Sequence, residues 1–282
     1  MIENPRPVLL EFKTFRMRGH EEASGTKYVP QELMDMWAEK DPIENFKEFL
    51  LRTNVLNEEI DTTYRAEIKA EIDEHWAITQ AEPDVVADLT EELNDMYEPY
   101  GFEEFTHSKE VENIRVVDAI SNALRQSMER HNNLVIMGQD IAEYGGAFKV
   151  TEGLLDKYGK GRVRNTPLCE SAIVGAGLGL SISGMKAMVE MQFADFVTCG
   201  FNQIINNLAK IHWRWGQNAD VVIRMPTGAG TAAGPFHSQS NEAWFFHTPG
   251  LKILYPSNPK DAKGLLNAAI EDPNPVLFFE HK

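Results

Sequence analysis

Cysteine is scarce in this chain of 282 residues, which contains only Cys169 and Cys199. Neither lies in a metal-ligand spacing, so the composition favours a reduced, cytoplasmic protein. No apolar run approaches the roughly 20 residues that a membrane helix needs. The first residues also lack the basic start and the apolar stretch of a signal peptide. We therefore expect no membrane partner.

Basic residues are scarce in the first part of the chain. Residues 1–112 hold 28 acidic and 11 basic residues, whereas residues 113–282 hold 15 acidic and 16 basic ones. The net charge of −16 therefore belongs to the first part alone. This acidity argues against nucleic acid as a partner. A solvated acidic face is favoured over a surface that binds a basic partner.

A glycine fingerprint for dinucleotides is also missing. Gly175, Gly177 and Gly179 do not have the G-x-G-x-x-G spacing, and they lie within a predicted helix rather than in a turn before one. Close packing of that helix is the favoured explanation for these glycines.

The two parts of the chain differ in their predicted secondary structure. Pro7–Phe15 reads as a buried strand, and residues 31–98 read as helices, including a long acidic helix over residues 55–80. The polar link over residues 101–112 has no periodic pattern. We therefore place a boundary there, between a mainly helical region at residues 1–112 and a second domain at residues 113–282.

Short strands alternate with helices in the second domain. This alternation predicts a mostly parallel α/β sheet with helices on both faces. The predicted strands are residues 134–138, 163–167, 187–192, 219–226, 252–256 and 275–280. The predicted helices are residues 114–130, 152–158, 170–183, 195–215, 241–247 and 259–271.

Two residues near predicted strand ends are candidates for chemistry. His237 lies in the loop TGAGTAAGPFHSQS, which follows a strand, and ligands of open α/β sheets bind at such ends. Glu170 begins a nearly uncharged helix, where burial disfavours the charged carboxylate and the helix N-terminus favours it. Such a carboxyl suits proton transfer. On local grounds alone, a histidine bonded to backbone and a first-turn helix cap are the favoured alternatives.

Aromatic and basic side chains supply two further candidates. Phe193 and Phe196 follow a predicted strand end and would suit stacking on a flat ring, with a plain core role equally favoured. Arg16, Arg18 and His20 follow the first predicted strand and would suit binding of a phosphate or carboxylate. A solvated basic turn is equally favoured for these three residues.

Long motifs of the second domain, taken in order, resemble a known family. They are YGGAFKVTEGLLDKYGKGRVRNTPLCESAIVGAGLGL, EMQFADF and RMPTGAG, followed by GPFHSQSNEAWFFHTPGLKILYPSNPKDAKGLLNAAIEDPNPVLFFE. Together they are similar to the pyrimidine-binding domain in the β subunit of thiamine-diphosphate-dependent 2-oxo acid dehydrogenases, over residues 113–282. The resemblance implies thiamine diphosphate as the cofactor.

Residues 5–98 resemble the end of the α subunit of the same family. TFRMRGH is similar to that subunit's Tyr-Arg-x-x-Gly-His loop, and a DPI turn follows among the helices. Where the family continues with Ser-x-Ser-Asp, this chain has EEASG, which argues against control of the loop by phosphorylation. We expect a piece of a fused α–β enzyme, without the diphosphate domain whose Gly-Asp-Gly motif binds magnesium in this family.

The resemblance also implies roles for individual residues. Glu170 corresponds to the glutamate that bonds N1′ of the aminopyrimidine, Phe196 to the aromatic that stacks on it, and Leu168 to a residue whose carbonyl accepts from the 4′-amino group. His237 corresponds to a histidine at the active-site mouth that serves substrate binding and acyl transfer. His20 corresponds to a histidine near the diphosphate and the substrate. Some members bind a structural potassium ion at positions that match Val221, Ala269, Ile270, Asp272 and Asn274.

The function that the resemblance implies is oxidative decarboxylation of a branched-chain 2-oxo acid such as 2-oxoisovalerate. The acyl group would pass to lipoyl-lysine on a lipoyl domain of a dihydrolipoyl acyltransferase. Pyruvate and acetoin are the alternative substrates, and an inactive fragment that serves as an assembly or interaction module is the alternative from another class. The family also implies a homodimer or an α2β2-like assembly, and a piece of this length is expected to be inactive alone.

Overall fold

The computed structural model describes residues 6, 8–21, 23–101 and 110–282. The chain divides into two compact units, Met1–Val85 and Val86–Lys282. The predicted link over residues 101–112 lies largely outside the described residues, so the domain boundary at residue 112 stays a prediction.

The first unit is helical, as predicted for this region. Asp41 begins the second helix because its carboxylate accepts hydrogen bonds from the backbone amides of Ile43 (2.8 Å) and Glu44 (3.2 Å). Pro42 follows it at the first helical position, where the missing amide hydrogen costs nothing. The helices described in this unit are α1 (Gln31–Ala38), α2 (Pro42–Arg52) and α3 (Glu58–Ala81).

The prediction of a buried strand at Pro7–Phe15 is wrong. Pro7 lies outside the described residues, and residues 8–15 form no strand. Leu9 is 96% exposed and Phe12 is 76% exposed, so these apolar side chains are not part of a core. A strand needs a neighbouring strand to satisfy its backbone groups, and the described part of the first unit contains none.

The second unit contains a parallel sheet with helices on both faces, as predicted. The strands are β1 (Leu134–Gly138), β2 (Val163–Asn165), β3 (Lys186–Glu190), β4 (Val221–Thr227), β5 (Lys252–Leu254) and β6 (Val276–His281). They lie in the order β2-β1-β3-β4-β6-β5, and every pairing is parallel. The α-helices are α4 (Leu89–Asp95), α5 (Val116–Arg130), α6 (Leu154–Tyr158), α7 (Glu170–Ile182), α8 (Ala209–Trp215) and α9 (Pro259–Glu271).

Two predicted helices differ from the structure in detail. Residues 195–215 do not form one helix, because a 3-10 segment at Ala194–Gly200 and a π-helical segment at Gln203–Leu208 precede α8. Residues 241–247 contain only a 3-10 turn at Glu242–Phe245. Gly200 lies close to α7, since a β-carbon at this position would be 3.3 Å from the Val174 side chain and 3.5 Å from the Glu170 carbonyl oxygen. The segment after β3 therefore packs directly on the start of α7.

Two apolar cores lie on opposite faces of the sheet. Val222 and Phe278 pack on one face with α5 and α9, whereas Ile223 and Phe279 pack on the other face with α7 and α8. Successive strand residues point to opposite faces, so each strand must be apolar on both sides. This requirement explains the continuous apolar runs in the sequence.

One buried cation joins three strands. Arg224 of β4 is 1% exposed, and its guanidinium binds the carboxylates of Glu190, which ends β3, and Glu280 in β6. Burial raises the pKa of Glu190, although Arg224 opposes this shift. Burial would lower the pKa of Arg224, but the two carboxylates outweigh it and hold that pKa above its ordinary value. The three side chains thus form one buried triad that links β3, β4 and β6.

Arg224→Met is expected to destabilise the chain by about 3–5 kcal/mol, because it leaves two carboxylates buried without their cation. Denaturant unfolding measures the free energy. Arg115→Ala is the control, since Arg115 pairs with Asp118 on the surface, where such a pair contributes little. An equal effect of the two substitutions would show that the triad does not stabilise the sheet.

Candidate active site

The carboxyl ends of β1, β3 and β4 meet at one edge of the sheet. The chain passes from β1 to β2 on one side and returns to β3 on the other, which makes a switch point between β1 and β3. Ligands of open α/β sheets bind in the crevice at such a point. The segments that follow β1, β2, β3 and β4 carry Gln139, Glu170, Phe196 and His237 respectively.

Glu170 is the first residue of α7 and is 7% exposed. Its Oε1 accepts a hydrogen bond from Nε2 of Gln139 at 3.1 Å. No described residue donates a hydrogen bond to its second carboxylate oxygen. The structure thus holds a nearly buried carboxylate at the helix N-terminus, with one oxygen available to a ligand.

Three rings form a cluster beside this edge. The imidazole of His237 lies edge-on to Phe193 and Phe196, with ring centroids 5.2 and 5.4 Å apart and interplanar angles of 87°. The two phenyl rings lie 5.8 Å from each other. All three side chains are half-buried. The structure therefore brings His237 together with Phe193 and Phe196, which the sequence singled out separately.

Hydrogen bonds join the segments that carry the carboxylate and the rings. Gln192, next to Phe193, donates to the carboxylate of Asp140 at 3.1 Å. Gln139, next to Asp140, donates to Glu170. Sequence reasoning missed Gln139, although a glutamine directly after the apolar strand LVIMG was a usable signal.

Unpartnered polar groups lie next to these residues. The hydroxyl groups of Thr166 and Ser238 are buried, and no described residue hydrogen-bonds to either. Leu168 is 82% exposed, and no described backbone amide donates to its carbonyl. Buried polar atoms without a partner are costly, so a polar ligand at this edge would satisfy groups that the chain leaves open.

His20 belongs to the first unit and is the last residue of the motif TFRMRGH. Its side chain is 72% exposed, and its Nδ1 lies 2.9 Å from the hydroxyl of Ser24. Gly19 is needed in this loop because a side chain there would lie 2.4 Å from the Ser24 carbonyl oxygen. The role of His20 at a diphosphate stays a prediction.

The five residues predicted to bind potassium lie at the opposite edge of the sheet. They are Val221, Ala269, Ile270, Asp272 and Asn274. The carboxylate of Asp272 already accepts hydrogen bonds from Lys252 (2.5 Å) and from the amide side chain of Asn274 (2.8 Å). The side-chain oxygen of Asn274 accepts from the Glu98 amide at 2.8 Å. The backbone carbonyl oxygens at the end of α9 would therefore remain as ligands for a cation. Potassium binding stays a prediction.

Sequence reasoning missed a second buried ion pair, which lies at the same edge of the sheet as His237. Lys282 Nζ lies 3.0 Å from Oδ2 of Asp195, and their side chains are 0% and 1% exposed. Burial would raise the pKa of Asp195, but hydrogen bonds from the Gln239 amide and from Lys282 outweigh it and hold that pKa below its ordinary value. The signal was a lone aspartate among the apolar residues of QFADFV.

Comparison with known proteins identifies the family. The model of the transketolase pyrimidine-binding domain matches residues 112–282, and the model of the dehydrogenase E1 component matches residues 1–87. The first match spans more than half of the chain. The chain therefore belongs to the transketolase pyrimidine-binding domain family.

Individual relatives are subunits of 2-oxo acid dehydrogenases. The chain is 49% identical over 168 residues to 2-oxoisovalerate dehydrogenase subunit beta of Bacillus subtilis, covering 59% of this chain and 51% of that protein. It is 44% identical over 178 residues to the mitochondrial 2-oxoisovalerate dehydrogenase subunit beta 2 of Arabidopsis thaliana, covering 62% and 49%. It is 44% identical over 171 residues to pyruvate dehydrogenase E1 component subunit beta of Acholeplasma laidlawii, covering 60% and 52%. The chain thus spans about half the length of these relatives.

Within the described parts of the chain, no helix combines the length and the apolar character needed to cross a membrane.

Asp195→Asn is expected to change the pH dependence of stability. Because the folded-state pKa of Asp195 lies below its unfolded value of about 3.9, its charge stabilises the fold above that pH, and this contribution is lost as the pH falls through the folded pKa. The gap in unfolding free energy between the native chain and Asp195→Asn should be constant from about pH 5 to 7 and shrink below about pH 4. A gap that stays constant down to pH 2 would contradict the assigned shift.

Proposed function

We propose that this chain supplies the aminopyrimidine half of a thiamine diphosphate site in the decarboxylating component of a 2-oxo acid dehydrogenase. One observation carries the proposal. The nearly buried carboxylate of Glu170 stands at the switch-point edge with one oxygen unpartnered among the described residues. A carboxyl in that setting is suited to holding and moving a proton on a heteroaromatic nitrogen.

The residues at this edge fit the aminopyrimidine. Glu170 would hold a proton at N1′, the carbonyl of Leu168 would accept from the 4′-amino group, and Phe196 would stack on the ring. When bound, the cofactor supplies the carbon nucleophile that attacks the 2-oxo acid. Thr166, four residues before Glu170 in the chain, has a buried hydroxyl for which no described residue is a hydrogen-bond partner.

His237 would serve a different step of the reaction. It lies in the loop after β4, packed against Phe193 and Phe196, where an imidazole would contact the substrate and the acyl group in transfer. The match of residues 1–87 to the E1 component supports a role for His20 near the diphosphate. We further propose that magnesium is bound mainly by a diphosphate-binding domain and that potassium binds at the end of α9.

The relatives support a branched-chain substrate. Two of the three relatives described above are named 2-oxoisovalerate dehydrogenase subunits and the third is a pyruvate dehydrogenase subunit. We therefore place 2-oxoisovalerate first, with pyruvate and acetoin as alternatives. Acyl transfer to a lipoyl domain of a dihydrolipoyl acyltransferase and an α2β2-type assembly belong to the same proposal. The order of the two family matches along one chain supports a fused α–β polypeptide.

The decisive experiment uses the complete polypeptide that contains this chain. Calorimetric titration measures its binding of thiamine diphosphate with magnesium, and release of carbon dioxide is compared for 2-oxoisovalerate and pyruvate, with acetoin cleavage measured separately. We expect cofactor binding and the highest kcat/KM on 2-oxoisovalerate, whereas residues 1–282 alone should show no turnover. Absence of both binding and turnover in the complete polypeptide would favour the non-catalytic interaction module.

Glu170→Gln in the complete polypeptide is expected to slow hydrogen–deuterium exchange at C2 of the bound cofactor by about 10²–10⁴-fold, the usual size of a general acid–base contribution. Nuclear magnetic resonance of the quenched cofactor measures the exchange. Glu129→Gln is the matched control, because Glu129 is an exposed carboxylate on α5 that pairs with Lys157. Near-normal exchange in Glu170→Gln would refute the role of Glu170.

A further inference from the structure

The loop that carries His237 has little structure of its own. Residues 228–240 contain no helix or strand, and residues 229–236 are exposed. Phe236, the residue before the histidine, is 77% exposed. A segment with so few buried contacts is held by its ties to the core rather than by its own packing. The ties on either side of His237 therefore decide where its imidazole lies.

Two of those ties run to one buried ion pair, beside the hydrogen bonds that the Gln239 carbonyl accepts from the Gly228 amide and the Thr227 hydroxyl. Lys282 Nζ donates to the carbonyl of His237 at 2.6 Å and to Oδ2 of Asp195 at 3.0 Å. Oδ1 of Asp195 accepts from the backbone amide of Gln239 at 2.9 Å. The Asp195 carboxylate thus binds the backbone of Gln239 directly. It also binds Lys282, which in turn binds the backbone carbonyl of His237.

The same ammonium also contacts the ring cluster. Lys282 Nζ lies 4.5 Å from the centroid of Phe193, within the range of a cation–π contact. Phe193 is one of the two rings that lie edge-on to His237. Because Lys282 touches both the backbone of His237 and a ring beside its imidazole, the cation is placed to set the position and the orientation of the histidine.

We infer that Asp195 and Lys282 are positioning residues for His237, clamping the backbone around it so that its imidazole stays against Phe193 and Phe196. Both charged side chains are buried. Separating them would leave an unpaired charge in the interior, which is costly, so the two side chains stay in contact. The clamp also joins the segment after β3 to the loop after β4. The inference rests on the proposed function in one respect only, the role of His237 in contacting the substrate and the acyl group.

The chain offers a matched control at the other edge of the sheet. Lys186 Nζ donates to Oδ1 of Asp220 at 2.8 Å and to the carbonyl of Glu271 at 3.2 Å. This lysine also joins a carboxylate to a backbone carbonyl, but it does so at the amino ends of the strands. Its loss should reduce stability without moving His237.

The test follows the imidazole of His237 by nuclear magnetic resonance in the 282-residue chain labelled with ¹³C-histidine. The chain has 8 histidines, and His237→Gln assigns the signal. In Lys282→Met the Cε1–Hε1 signal should move toward the position of free histidine, with loss of its contacts to Phe193 and Phe196. In Lys186→Met both should stay unchanged. An unmoved signal in Lys282→Met, or an equal movement in both variants, overturns the inference.

A second variant covers the case in which Lys282→Met does not fold. Asp195→Asn keeps the shape of the side chain and removes its charge, and the same displacement of the His237 signal is expected. An unmoved signal in folded Asp195→Asn likewise overturns the inference.

Kinetics of the complete polypeptide separate this inference from the proposed function. Lys282→Met should lower turnover of the 2-oxo acid by about 10- to 100-fold, as expected for a misplaced catalytic group, and leave exchange at C2 of the cofactor unchanged. If the His237 signal moves while turnover is normal, the positioning inference holds and the use of His237 in the proposed function is lost. If exchange at C2 falls with turnover, Lys282 acts beyond His237 and the inference is overturned.

Discussion

The guanidinium of Arg224 lies between two carboxylates in the interior of the second unit, where it is 1% exposed. A charge there is tolerated only while its partners stay in place, because an unpaired buried charge costs several kcal/mol. Arg224 is in β4, Glu190 ends β3, and Glu280 is in β6. The triad therefore fixes three neighbouring strands near the ends from which the segments with Phe196 and His237 emerge, and the position of these two residues depends on it.

A second buried ion pair continues this arrangement from the strands to the loops. The segment after β3 carries Asp195, the residue after β6 is Lys282, and together they hold the loop after β4. The loop that carries His237 thus has few contacts of its own and is held by two buried charges that stabilise each other. An exposed loop on a rigid support is a common way to place a reactive side chain.

Local patterns predicted most of the second unit because each strand there is buried on both faces. LVIMG and PVLFFE are apolar at every position or nearly so, and Pro259 after Asn258 begins α9 where expected. The same kind of pattern failed at Pro7–Phe15, because a strand exists only if another strand pairs with it. The single helix predicted at residues 195–215 failed because contact of Gly200 with the start of α7 is not visible in the local sequence.

The sequence by itself determined the alternation of strands and helices, the acidity of the first part, and the motifs that place Glu170, Phe196 and His237 in a family. Those features depend on residue type and short spacing, which a linear pattern records. Only the tertiary structure decided that Gln139 contacts Glu170, that two phenyl rings flank His237, and that Arg224 and Lys282 hold the surrounding segments. These contacts join residues that are between 31 and 87 positions apart in the sequence. Only packing of the parallel strands brings them together.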